Sequence, residues 1–155
     1  MGFVAAIKVG FRKYATWSGR ASRSEYWWFT LFLVLLSIAV ALVEALAFGF
    51  ETLDSASGGP LSIIVSLATL IPSLTITIRR LHDTNKPGLF ILTPFAAFAL
   101  GIVFGAILGP VIGSAASIIA GTTIAAGFLL FLFWMIKKSQ PGPNKYGPNP
   151  AEVTI

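Results

Sequence analysis

The sequence predicts an all-α membrane protein, a four-transmembrane-helix bundle with an N-terminal amphipathic interfacial helix. Three observations predict it. Of the 155 residues 55% are hydrophobic and only 11% charged, with a mean hydropathy of +0.83, where soluble domains carry about 25% charged residues. The charges sit in short blocks, and residues 89–136 contain none. All 11 lysines and arginines fall within residues 8–23, 79–86 and 137–145, separated by apolar runs.

The N-terminal arm comes first. At 100° per residue Phe3, Val4, Ile7, Phe11 and Tyr14 share one helix face, with Lys8, Arg12 and Lys13 on the rest. That pattern predicts a helix lying in the membrane interface with its cations near anionic head groups. Gly10 weakens it and Gly19 ends the arm. A serine at 22 or 24 can cap the helix that follows, and Tyr26, Trp27, Trp28 and Trp134 suit the aromatic belts at head-group depth.

A helix needs about 20 apolar residues to cross a bilayer. Residues 27–50 supply the first span, with Glu44 as its one charge, and residues 61–78 the second. Ala45-Leu46-Ala47 looks like a signal-cleavage site, but the long polar arm before the apolar run and Glu44 beside the site argue for a retained span. Pro72 predicts a kink whose freed carbonyl is satisfied by Ser73 or Thr75. As one helix, residues 89–136 would be about 72 Å long, so the run must fold back. Gly109-Pro110 is the expected break, giving a third span at 89–108 and a fourth at 111–136. Residues 1–136 then form one membrane domain, and 137–155 a Pro/Gly/Asn-rich tail.

Orientation follows from charge. The connection at residues 51–60 has no basic residue and holds Glu51 and Asp54. Four spans put every lysine and arginine on one side, which the positive-inside bias makes the cytoplasm, with both termini there. The net charge of +5 and pI near 9.9 are explained by the same bias, so no nucleic-acid partner is expected. The chain has no cysteine and a single histidine, so neither a metal site nor a cofactor is predicted.

Gly101, Gly105 and Gly109 repeat every four residues along the third span, and Gly113, Ser117, Gly121 and Ala125 along the fourth. Small residues at this interval let backbones approach closely, which predicts a tight antiparallel hairpin. Homo-oligomerisation is the competing use of the stripe. Glu44 is the sole ionisable group inside a span and thus a functional candidate, yet it lies about 9 Å beyond the middle of its run, from where its carboxylate can reach water.

One polar constellation remains. Arg79 or Arg80 can pair with Asp83 on a helix surface. The four-span topology adds Arg20, Arg23, Glu25, His82 and Tyr146 from the arm, loop and tail. This cluster carries surplus positive charge suited to a lipid phosphate or another anionic ligand; alternatively, Glu25 and Asp83 pair with the arginines and pin the helices together. His82 beside Asp83 is a weak basis for enzyme chemistry, and no catalytic residue is assigned.

Trp17-Ser18-Gly19-Arg20-Ala21-Ser22-Arg23-Ser24-Glu25-Tyr26-Trp27-Trp28, Arg79-Arg80-Leu81-His82-Asp83-Thr84 and Gly142-Pro143-Asn144-Lys145-Tyr146-Gly147-Pro148-Asn149-Pro150 closely resemble the bacterial inner-membrane proteins grouped as domain of unknown function 805. Three motifs in order, over nearly the whole chain, make the resemblance specific. It implies a small multi-span inner-membrane protein and supplies no reaction or ligand. Members often carry glycine and tryptophan after the Arg-Arg-Leu-His-Asp motif, where this chain has Lys86-Pro87-Gly88-Leu89-Phe90. The leading expectation is a non-enzymatic protein whose cytoplasmic cluster binds lipid head groups or a partner protein. A small transporter or channel component comes second, and a membrane enzyme using His82 and Asp83 third.

Overall fold

The computed structural model describes residues 1–50, 58–150 and 152. Its helices are α1 (Phe3–Arg12), α2 (Arg23–Phe48), α3 (Pro60–Asp83), α4 (Thr93–Ile112) and α5 (Ser114–Ile136), with a 3₁₀ turn over Gly88–Leu92 leading into α4. Four helical segments are long and apolar enough to cross a membrane: α2, α3, the 3₁₀ turn with α4, and α5. No strand occurs among the described residues. Glu51 and Asp54, expected in the first outer connection, lie outside them.

α2 begins as its sequence predicts. The Ser22 hydroxyl accepts the Glu25 backbone N–H at 3.2 Å, the usual way to satisfy one of the open donors at a helix start. α1 docks on α2 through Ala6 and Gly10, both buried. A Cβ on Gly10 would overlap the Phe29 ring, so this glycine permits the contact instead of merely weakening the helix. Phe3 packs edge-on against Trp28, and Phe11 against Phe29 and Phe32.

Pro72 sits inside α3 and is buried. Lacking an N–H, proline leaves the carbonyl four residues earlier without its helical donor. That carbonyl belongs to Ala68, and the Tyr14 hydroxyl donates to it at 2.6 Å. The sequence expectation of Ser73 or Thr75 as donor is therefore corrected. Ser73 bonds the Leu70 carbonyl, while Thr75 bonds the carbonyls of Pro72 and of Tyr14 itself. The arm is thus fastened to α3 at its proline.

The reversal between the last two spans also differs from expectation. α4 runs through Gly109-Pro110 and ends at Ile112; the chain turns at Gly113, whose φ is +56°. Proline removes only one ladder bond and is tolerated in membrane helices, whereas the turn needs a left-handed residue, which glycine takes without steric cost. The phase of the packing shifts with it. Gly101 meets Ile124 and the Ala120 carbonyl, Gly105 meets Ala120, and a Cβ on Gly127 would collide with Ala97. Ala116 is buried while Ser117 is exposed, and open space surrounds Gly109 and Gly121. The hairpin is tight and antiparallel, but the α5 stripe is one residue out of phase with the predicted one.

The α2–α3 and α4–α5 pairs join at one end. There Leu81, Trp134 and Met135 are buried together against Tyr26, Phe90, Ile91 and Phe131. Trp134 stacks edge-on against Phe90 at 5.0 Å, so it belongs to this junction and not to an aromatic belt. Trp27 and Trp28 do remain exposed.

Candidate functional site: a buried ionic clasp

The end that joins the two pairs also gathers the arm, the α3–α4 connection and the tail. Capping by Ser22 fixes the first turn of α2, and from it Glu25 accepts Arg79 Nη1 at 2.7 Å. The Arg79 backbone carbonyl accepts the Ala21 N–H at 2.9 Å, so its side chain ties α2 to α3 and its backbone ties the arm. Arg79 is fully buried, and its Nε and Nη2 have no hydrogen-bond partner among the described residues.

Asp83, the last residue of α3, is the centre of the clasp. Its Oδ1 accepts Arg20 Nε at 3.0 Å, and its Oδ2 accepts Arg80 Nη1 and the Ser139 hydroxyl. Of the two spacings allowed by sequence, the three-residue one is used within α3, and Arg79 turns to α2. Arg20 spends its remaining donors on the tail, giving Nη1 to the Gly142 carbonyl at 2.7 Å and Nη2 to that of Gln140 at 2.6 Å. Arg80 donates to the carbonyls of Met135 and Lys137 at the end of α5. These carbonyls have no donor within their own helix, and a cation at the negative end of the helix dipole is favourable. Arg80 is therefore the C-terminal cap of a helix remote in sequence.

His82 stacks flat on Tyr146, with ring centroids 3.7 Å apart and 3° between planes, and its Nδ1 lies 3.2 Å from the Gly19 carbonyl. Asn144 Nδ2 donates to the His82 carbonyl at 2.9 Å, and the Gln140 N–H to that of Asp83 at 3.0 Å. The tail holds its shape through Asn144, whose Oδ1 accepts the Tyr146 N–H and whose backbone pairs with Gly147.

Seven of the eight predicted cluster residues thus meet: Arg20, Glu25, Arg79, Arg80, His82, Asp83 and Tyr146. Arg23 is exposed and forms no ion pair among the described residues, bearing on the cluster only as a like charge near Arg80. Sequence reasoning missed Ser139, Gln140 and Asn144, although the Gly-Pro-Asn repeat signalled a shaped turn there. His82 and Asp83 are sequence neighbours with separate partners, so they form no acid–base couple. Three buried guanidiniums face two buried carboxylates, and removing one partner of such a pair leaves an uncompensated charge costing about 3–5 kcal/mol.

Glu44 lies at the opposite end of α2, only 1% exposed. It accepts the backbone N–H groups of Gly59, Leu61 and Ser62 at 3.2, 2.6 and 3.0 Å, together with the Ser62 hydroxyl. It does not reach out to water; it caps the start of α3, a helix that has no side-chain cap of its own.

Four membrane-length helices tied at one end by buried ion pairs define an integral membrane protein of the all-α class. The family model described as "Protein of unknown function (DUF805)" matches residues 14–148, and the chain belongs to that family. It is 30% identical over 139 residues to the inner membrane protein YhaI of Escherichia coli strain K12, covering 90% of this chain and 89% of the relative. It is 27% identical over 142 residues to the inner membrane protein YhaH of the same strain, covering 90% of each. No solved structure matches the chain.

Proposed function

We propose that this protein sits in the bacterial inner membrane with both termini in the cytoplasm and binds anionic lipid head groups at its basic end. The observation that carries the reading is how the cations divide. The three arginines of the clasp are buried, and each is ion-paired to an internal carboxylate. Lys8, Arg12, Arg23, Lys137 and Lys138 at the same end are exposed and Lys13 is half-buried, and none has an ion-pair partner among the described residues. The clasp makes the platform, and the free cations around it attract the anionic leaflet, each contributing about 1 kcal/mol near a charged surface. The positive-inside bias supports the cytoplasmic placement.

Native mass spectrometry from mixed phosphatidylglycerol and phosphatidylcholine nanodiscs tests this. Wild type should retain phosphatidylglycerol selectively, and glutamine at the free cations should abolish the selectivity while the melting temperature holds. Equal retention of both lipids by wild type would overturn the reading.

A small transporter or channel component is the second reading. It is favoured by a cavity of about 70 Å³ between α2 and α3, lined in part by Ser37, Ser62, Ser66 and Thr69 and large enough to hold water. Liposome flux that falls in Ser66→Leu would support it.

A further inference from the structure

The basic end contains a cleft of about 570 Å³ between the end of α1, the start of α2 and the tail. Arg12 and Lys13 line one wall, Ser22 and Ser24 another, and Tyr146 with Pro148 the third. Arg12 and Lys13 have no ion-pair partner among the described residues. At the start of α2 the Ser22 and Ser24 hydroxyls bond each other at 3.1 Å, Ser22 also accepting the Glu25 N–H and Ser24 the Met1 amine; one hydroxyl proton is left to donate, at a helix end whose dipole favours an anion.

One carboxylate, Glu25, also lines the cleft, but Arg79 neutralises it at 2.7 Å. That pair cancels, and Arg12 and Lys13 in the same lining keep the local field positive. The cleft also has a membrane depth. Its Ser24 wall lies three and four residues before Trp27 and Trp28 on α2, and these exposed rings mark the level of lipid head groups.

We infer that this cleft binds a single phosphate group, with Arg12 and Lys13 as its charged donors and the Ser22–Ser24 end of α2 as its neutral one. A lipid head group is the source nearest to hand, and free phosphate shares the chemistry. The inference rests on the head-group reading above and narrows it from a charged rim to one built site.

The test uses the full chain in phosphatidylcholine nanodiscs, titrated separately with phosphatidylglycerol, inorganic phosphate and glycerol phosphate. Native mass spectrometry counts the adducts. Wild type should hold one phosphatidylglycerol tightly, and Arg12→Gln/Lys13→Gln should weaken it about tenfold, as expected for losing charge-assisted hydrogen bonds. Lys137→Gln/Lys138→Gln removes the same charge outside the cleft and should leave that adduct in place. Ser24→Asp, a substitution that suits a helix N-terminus, should expel it by repulsion without unfolding the chain.

Equal weakening by both glutamine pairs would overturn the cleft and leave diffuse head-group binding standing. Absence of any preference for phosphatidylglycerol would sink both. Binding of inorganic phosphate as tight as that of the lipid, with the same sensitivity to Arg12 and Lys13, would support the cleft with free phosphate as its ligand.

Discussion

The two helix pairs of this protein solve the same problem by different chemistry. Between helices surrounded by lipid, hydrophobic burial offers little drive for association, leaving close packing and polar contacts. The α2–α3 pair uses polar groups: Glu44 caps α3 at one end, Glu25 and Arg79 pair at the other, and Tyr14 completes the broken ladder at Pro72. The α4–α5 pair has no charged side chain and relies on backbone proximity at Ala97, Gly101, Ala120 and Gly127. The clasp around Asp83 then couples the two systems, because Arg80 holds the end of α5 and Arg20 the tail. The contrast teaches that one pair depends on particular partners and the other on shape alone.

Substitutions can break this contrast. The largest effect is expected from Asp83→Ala, which strands Arg20 and Arg80 and should cost about 3–5 kcal/mol in a denaturation series in detergent. Next is Gly127→Val, which forces α4 and α5 apart without touching a polar group; overpacking of this kind costs about 1–3 kcal/mol and should leave the ion pairs intact. Tyr14→Phe should cost about 1 kcal/mol, the worth of a typical hydrogen bond, read as a lower melting temperature. The smallest effect belongs to Gly121→Ala, which fills open space and should stay within about 0.5 kcal/mol of wild type. A large loss there would return the predicted α5 stripe to the interface.

Much of the architecture was legible because bilayer thickness and charge exclusion act on long runs of sequence. The four spans, the Ser22 cap and the Arg80–Asp83 spacing all depend on local or averaged properties. What escaped depended on contacts between distant segments. α5 carries two candidate small-residue stripes one position apart, Gly113-Ser117-Gly121-Ala125 and Ala116-Ala120 continuing to Gly127, and periodicity has no means to choose between them. The turn at Gly113 makes the choice. Glu44 reads as a lone intramembrane acid until the chain returns and sets the first N–H groups of α3 against it. The cluster residues were legible as a list, but whether their charge faces a ligand or one another depends on side-chain geometry. It is turned inward, and the free cations lie around it.

The central claim is that Asp83 is held by arginines from two segments, so that arm, α3 and tail are one unit. A double-mutant cycle with Arg20→Gln and Asp83→Asn, followed by unfolding in detergent, measures this directly. The structure predicts a coupling energy above about 1 kcal/mol between the two sites, because either single substitution already forfeits the pair. Losses that simply add would contradict it.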